Sequence, residues 1–463
     1  MQLHDAIIHY HSLLDEAGAR DTYAQLDAAI RARGMLVGKP PDRLICSVLR
    51  PRLLTQAQLA AVEQAATLVG RAIRKVGAAT LEQPALLTPY ALTPQEQELL
   101  TIDPGYPGVS ALGRLDGFLA EDGSACWFVE SNLESPAGIG YDEAMVDVFD
   151  QLEVMREYRK TYHAVALPHR QGLQQLLLDT YHAWGGSGTP VIAIVDFKGA
   201  VTMSEFVHLR DRFTADGIPT VIADPSELEY DGKRIYARIA EQPGRTAIDL
   251  VYRRVLQHEF LAQYDLDHPL VRAYVDHAVC VVNPFRTKPV HTKLIMALLS
   301  DEEGPAAGLL DAEERAAVAR HVPWTRQVLG GVTRYQGQQV PLLTFAQRNR
   351  EQLVLKPNDD YGGQGVLLGW ETDQTSWDRA LAAAQAAPFV LQERVPVPVE
   401  EYPTWTPEEG LRITPRYVDS DPCVYGDHAI GCLTRIAATA LLNVSAGGGA
   451  APPTFVVTAR VPS

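Results

Sequence analysis

The chain has 463 residues, with 41 Lys and Arg against 57 Asp and Glu, a formal charge of −16. That excess of acid argues against nucleic acid or an anionic membrane surface as a partner, since both are held by positive charge. With 46% hydrophobic and 21% charged residues the composition is that of a folded globular protein, long enough for two or three domains.

Residues 1–108 read as a helical N-terminal segment. From Thr55 onward, Leu59, Val62, Ala66, Val69, Ile73 and Val76 recur at steps of three and four, which keeps them on one helical face. Thr55 with Gln58 three residues on is a capping-box start. The opening MQLHDAIIHYHSLLDEAG carries acids where a secretory signal has a basic flank and an unbroken apolar core. No apolar run reaches the roughly 18 to 20 residues that span a bilayer. Cys46, Cys126, Cys280, Cys423 and Cys432 have neither metal-type nor disulfide-framework spacing. The expectation is a cytoplasmic protein.

Within 109–150, ACWFVESN (125–132) is an apolar run ending in polar residues, the pattern of a strand delivering side chains to a site. Asp116 precedes Glu130 across a turn at Glu121-Asp122-Gly123, and Asn132 follows Glu130 by two residues. Strand residues two apart share a face, so Glu130 and Asn132 project together, with Asp116 and Arg114 on the neighbouring strand. Oxygen donors so arranged suit Mg²⁺; the competing reading is an acidic, solvated surface.

Residues 151–186 read as a helical connector, and GGSGT (185–189) marks a boundary. In 187–285 strands are expected at 191–197, 219–223, 249–255 and 278–283, with helices near 203–215 and 268–277 and a hairpin at Asp231-Gly232. Such alternation indicates a mainly parallel sheet covered on both faces. The 286–400 segment is helical over 290–320 and again, Ala-rich, over 380–387. Between them lies LVLKPNDDYGGQGVLLGW (353–370), a strand ending at Lys356 and a loop with Gly362, Gly363 and Gly365. Such glycines let backbone N–H groups approach phosphate oxygens, and the lysine adds positive charge. The spacing is neither a P-loop nor a dinucleotide fingerprint, and a plain glycine-rich hairpin competes with the phosphate reading. Residues 401–463 mix strands with glycine-rich turns such as SAGGGAAPP (445–453).

Together, Lys-Pro with its YGGxG loop and R-x-D…E-x-N-x-x-x-P resemble the ATP-grasp superfamily of carboxylate–amine ligases. In ordinary members the lysine and glycine loop precede the metal ligands. Here the order is reversed, which resembles the circularly permuted branch related to glutathionylspermidine synthase and eukaryotic glutathione synthetase. The resemblance extends to VYRRV (251–255), NPFRTKPVHTKLIMALLSDEE (283–303), VLQERVPVP (390–398) and GCLTRIA…LLNVSAGGG (431–449), covering about 110–460. It implies an α/β (α+β) fold: a permuted ATP-grasp whose C-lobe combines 109–150 with 401–463. The ATP-binding lobe is then 286–400, and 187–285 is a flanking Rossmann-like pre-ATP-grasp substrate domain.

The resemblance also implies residue roles. Lys293 and Lys356 contact the ATP phosphates under a lid of Gly362, Gly363, Gln364 and Gly365. Gln392, Glu393 and Val395 meet adenine and ribose. Asp116, Glu130 and Asn132 hold two Mg²⁺ ions, with Mn²⁺ an alternative. Arg114 and Arg435 serve catalysis, and Arg253 or Arg254 grips a substrate carboxylate, against the plainer reading of structural ion pairs. Ser131 stands where related chains often have a second acid; a strand residue there faces away from its neighbours. The implied activity joins a small carboxylate to an amine (amino acid, small peptide or polyamine) through an acyl phosphate, releasing ADP and phosphate. A homodimer is compatible with it. A phosphotransferase on the same cleft and a nucleotide-binding regulator without turnover stay open.

Overall fold

The computed structural model describes residues 3–38, 43–239, 244–360, 362–442, 444 and 449–460. Tyr361 of the YGGQG loop and residues 445–448 of SAGGGAAPP lie outside the described residues.

The longest helix, Gln56–Glu82, starts at the expected cap. Thr55 Oγ1 accepts from the Gln58 N–H at 3.1 Å, and Gln58 Oε1 accepts from the Thr55 N–H at 2.9 Å. Its periodic face from Leu59 to Val76 is buried in a core shared with Leu115 and Phe128 of the site hairpin. The N-terminal layer is not purely helical, however. The short strand Arg52–Leu54 runs parallel to Thr454–Ala459, which pairs on its other edge with Tyr162–Ala166. That last strand falls inside the stretch expected to be wholly helical. Five residues are too few for a two-residue period to stand out between flanking helices.

The 187–285 expectations match the observed elements. Ile192–Val195, Thr220–Ala223, Leu250–Arg253 and Cys280–Val282 form a wholly parallel sheet, ordered 280–282, 250–253, 192–195, 220–223. Ile192 and Ile194 enter one core and Ala193 and Val195 the other, so this central strand is apolar on both faces. The Leu228–Tyr230 and Ile235–Ala237 strands form the hairpin around Asp231-Gly232.

Two further sheets position the site. One runs antiparallel in the order His428–Leu433, Asp421–Tyr425, Leu112–Leu119, Cys126–Asn132, joining opposite ends of the chain. The other contains Thr325–Gln327, Phe389–Glu393, Leu353–Pro357 and Leu367–Leu368. Asn283, just past the last parallel strand, fastens the first of these to the 187–285 unit. Its Oδ1 accepts from the N–H groups of Ala111 and Leu112, at 3.0 and 2.9 Å. Its Nδ2 donates to the carbonyls of Leu112, Leu133 and Glu134, at 2.8, 3.0 and 3.0 Å. Both ends of the 112–132 hairpin are thus clamped by one buried side chain. Among the described residues no helix is long and apolar enough to cross a membrane.

The long helix depends on one close approach. A Cβ on Gly77 would lie 2.1 Å from Val290 Cγ1. In an open helix Gly→Ala is worth about 1 kcal/mol of stability, but here overpacking dominates. Gly77→Ala should lower Tm, at a cost of about 1–3 kcal/mol, and a second change, Val290→Ala, should recover part of it. A rise in Tm for the single variant would contradict this packing.

Candidate active site

The hairpin 112–132 sets the geometry. In its register Asp116 opposes Glu130 and Arg114 opposes Asn132, so all four side chains share one face. Immediately after Asp116 the register slips: Gly117 faces Phe128, leaving Val129 as an extra residue. The freed Val129 carbonyl accepts from Lys356 Nζ at 3.2 Å. Gly117 is required here, since a Cβ would lie 2.5 Å from the Trp127 carbonyl oxygen. Ser131 faces the other way, fully buried, with its Oγ donating to the Val290 carbonyl at 2.7 Å.

Around Asp116 lies a buried charge cluster. Arg114 donates through Nε and Nη2 to the two Asp116 oxygens, at 2.7 and 2.9 Å, and through Nη1 to the Ala137 carbonyl. Arg435 reaches Asp116 Oδ2 at 2.8 Å and Asp419 Oδ2 at 2.7 Å. Asp421 Oδ2 lies 3.0 Å from Arg435 Nη2, a charge contact without hydrogen-bond alignment. Burial alone would raise the Asp116 carboxyl, but Arg114 and Arg435 hold it well below the usual range. Asp419 and Asp421 go the other way: burial raises both, Asp421 the more strongly.

The opposite wall comes from the 286–400 segment. Lys293 Nζ lies 3.0 Å from Glu130 Oε1 and donates to the Asp360 carbonyl at 2.6 Å. Lys356 Nζ donates to Gln392 Oε1 at 2.6 Å. Burial pushes the Lys356 ammonium down to about 8, against the pull of Glu130. Glu130 is pushed up by burial but held below its ordinary value, first by Lys293. Gly362, Gly363 and Gly365 have φ of 67°, 75° and 68°, a left-handed backbone that L side chains rarely adopt. Glu393 Oε1 accepts from the Tyr335 hydroxyl at 2.6 Å.

Between these walls lies a cavity of about 910 Å³, and every residue to which the resemblance assigns a role lines it except Gly365 and Arg253. A Cβ on Gly365 would lie 2.7 Å from Pro357 Cγ, so a side chain there would collide with that ring. Arg253 is fully buried elsewhere and saturated. It donates to Glu134 Oε1 (2.6 Å), the carbonyls of Val255, Asn283 and Pro284, and Thr287 Oγ1. Its neighbour Arg254 lines the cavity. The site also contains Asp419, Asp421, Asp142 and Asp360, which the sequence reading passed over. Asp419 and Asp421 carry the same two-residue spacing as Glu130 and Asn132, but DSDP reads as a turn.

Among the described residues no three acidic, histidine or cysteine side chains come together as a metal cage. The expected trio includes an amide, and both Asp116 oxygens already meet guanidiniums. Opposed carboxylates and an amide on one face are still an all-oxygen donor set, which fits a hard divalent cation.

Arg253 offers a direct check. Burial would raise the Glu134 carboxyl, yet Arg253 and its neighbours bring it down to about 2. Arg253→Met should therefore cost about 3–5 kcal/mol at neutral pH, by stranding a buried carboxylate. The ion pair's contribution is complete above the ordinary glutamate value of 4.5 and is lost as pH falls toward 2. The Tm difference between wild type and variant should shrink over that range; equal stability at pH 7 would contradict this role.

No family model matches the chain. It is 24% identical over 345 residues to a Frankia casuarinae protein named "Putative glutamate–cysteine ligase 2-2". The match takes in 72% of this chain but only 37% of that protein, so the chain spans little more than a third of that relative's length. Among solved structures it resembles the apo form of a glutathione synthetase-like effector from Globodera pallida, at 11% identity and a TM-score of 0.56. That superposition covers 95% of this chain and 97% of the effector, so the two share a mixed α/β fold over nearly their full lengths.

Proposed function

We propose that the protein is an ATP-dependent carboxylate–amine ligase of the ATP-grasp type, with its lobes in circularly permuted order. One observation carries the reading: a single cleft brings a glycine loop and two lysines opposite an arginine, carboxylate and amide cluster from both chain ends. Similarity to proteins named glutamate–cysteine ligase and glutathione synthetase-like supports the same reaction class.

In this reading the nucleotide lies along Phe389–Glu393, with Glu393 toward the ribose and Val395 beside the adenine. The phosphates extend to Lys293, Lys356 and the N–H groups of 362–365. Lys356 suits that place because both its hydrogen bonds go to neutral oxygens, leaving its charge for an anion. The substrate carboxylate, steered by Arg254, attacks the γ-phosphorus; ADP departs and an acyl phosphate remains. An amine then attacks the acyl carbon and phosphate leaves. Arg114 and Arg435 neutralise the charge that moves in both steps. Two Mg²⁺ ions, held by Glu130 and Asn132 with Asp116 beside them, would screen the phosphates and polarise the γ-phosphoryl group. Closure of the glycine loop keeps water from the acyl phosphate. The substrates are a small carboxylate and an amine drawn from amino acids, short peptides or polyamines.

ADP release with a panel of these compounds, followed by product mass, tests the function; a phosphorylated acid as final product, or no ADP with any pair, would contradict it. Mg-ATP analogue should raise Tm, and Lys356→Met should reduce that shift more than Lys293→Met; an unchanged shift in Lys356→Met removes it from the site. Glu130→Ala should abolish ADP release with the fold intact, and Glu130→Gln should be severely impaired, while normal turnover in both would make Glu130 a bystander. The Lys356 ammonium is present below about 8 and lost above it, so analogue affinity should fall as pH rises through 8 in wild type and stay flat in Lys356→Met.

A further inference from the structure

On the wall assigned to the nucleotide, one acid is oriented by a side chain from another segment. Glu393, the last residue of Phe389–Glu393, lines the cavity, and its Oε1 accepts from the Tyr335 hydroxyl at 2.6 Å. Its Oε2 has no hydrogen-bond partner among the described residues. Tyr335 is not part of the cavity wall, so it meets Glu393 from outside the cleft.

Tyr335 is itself firmly placed. It ends the strand Val332–Tyr335, which pairs antiparallel with Gln338–Pro341, Tyr335 opposing Gln338. Gln336 and Gly337 between them have φ of 47° and 79°, the left-handed pair that a tight type I′ hairpin turn needs. Gln336 Nε2 donates to Tyr335 Oη at 3.2 Å. A phenol oxygen that accepts from Gln336 keeps its single proton for Glu393. The Tyr335 ring packs on Phe345, with centroids 4.6 Å apart, and edge-on to Trp324 at 5.3 Å. Trp324 ties the hairpin to the strand. Its carbonyl accepts from the Glu393 N–H at 2.8 Å, and its Nε1 donates to the Arg334 carbonyl at 2.8 Å. One aromatic cluster thus holds both the backbone and the carboxylate of Glu393.

We propose that Tyr335 is a positioning residue for the nucleotide, fixing the Glu393 carboxylate so that its unpaired oxygen meets the ribose hydroxyls. The assignment rests on the ATP-binding part of the ligase reading. Ordering one free side chain at the moment of binding weakens affinity by about three- to tenfold. A carboxylate already held by Tyr335 has lost that freedom in the fold. Its two oxygens offer about four acceptor positions, so the phenol leaves room for both ribose hydroxyls. Burial, then the Glu393 carboxylate itself, raises the Tyr335 hydroxyl to about 12, so it stays a donor at neutral pH. The plainer alternative is a tie between hairpin and strand that the ribose never senses, and the two differ in what they predict for a nucleotide without those hydroxyls.

The test measures, by calorimetry, binding of ATP and of dideoxy-ATP, which lacks both ribose hydroxyls. Each is added with Mg²⁺ and without a carboxylate substrate. Wild type should prefer ATP by about tenfold or more, the worth of a hydrogen bond to a charged group. Tyr335 is half-buried, and Tyr335→Phe keeps its ring on Phe345 and Trp324 while removing only the hydroxyl. Melting without nucleotide is compared first, and binding is read where both proteins are folded. Tyr335→Phe should weaken ATP by about three- to tenfold and leave dideoxy-ATP within about twofold of wild type. Glu393→Ala should lose most of the preference for ATP. Adding Tyr335→Phe to it should weaken ATP no further, since the phenol acts only through the carboxylate. Equal loss with both nucleotides, unchanged or tighter ATP binding, or a further loss on top of Glu393→Ala overturns the proposal. Wild type that binds both nucleotides equally overturns the ribose role of Glu393 and leaves the ligase reading standing. Wild type that binds neither overturns the ligase reading, and the Tyr335 assignment falls in both cases.

Discussion

The buried cluster of Arg114, Arg435, Asp116, Asp419 and Asp421 is the interaction on which the rest of the cleft depends. Three carboxylates meet two guanidiniums, and Asp116 and Asp421 are 5% and 0% exposed. Removing one partner of such a set strands a charge and costs about 3–5 kcal/mol. The cluster exists only because Leu112–Leu119 pairs with Asp421–Tyr425, Cys423 opposing Arg114. The raised Asp419 and Asp421 relieve the surplus negative charge by favouring their protonated forms. The network fixes Arg114 and Arg435 against the cavity without neutralising every group that faces it.

A small backbone irregularity connects this cluster to the opposite wall. The extra residue Val129 frees one carbonyl from the ladder, and that carbonyl receives Lys356. Lys293 is held from the same strand, by Glu130. Two lysines from 286–400 are thereby registered against a hairpin more than 150 residues earlier, with the Asn283 clamp fixing that hairpin to the parallel sheet. The chain's formal charge of −16 does not bear on this cleft, where positive groups are gathered locally.

Much of this was legible before any coordinates. The Gln56–Glu82 helix follows from its period and cap, the parallel strands from their alternation with helices, and the Asp116–Glu130–Asn132 face from strand alternation. The glycine loop was visible because three positive-φ residues need glycine. The pairing of 109–150 with 401–463 was implied by the resemblance alone, and the sheet of Arg52–Leu54, Tyr162–Ala166 and Thr454–Ala459 was not foreseen, since those segments carry no local mark of it. Nor was the difference between Arg253 and Arg254. Adjacent residues at a strand end face opposite ways, and only the position of Glu134 decides which one is structural. Asp419 and Asp421 hid in a turn-like DSDP, and Asp142 in an ordinary amphipathic helix.

The most direct measurement is a crystal structure with Mg²⁺ and a non-hydrolysable ATP analogue. The adenine and ribose should lie along 389–395 and the phosphates between Lys293, Lys356 and the 362–365 loop. The metal should sit on Glu130 and Asn132 beside Asp116, with Arg114 and Arg435 facing the terminal phosphate. A nucleotide bound away from Lys356, or a cleft in which Glu130 takes no part in holding metal or phosphate, would contradict this arrangement.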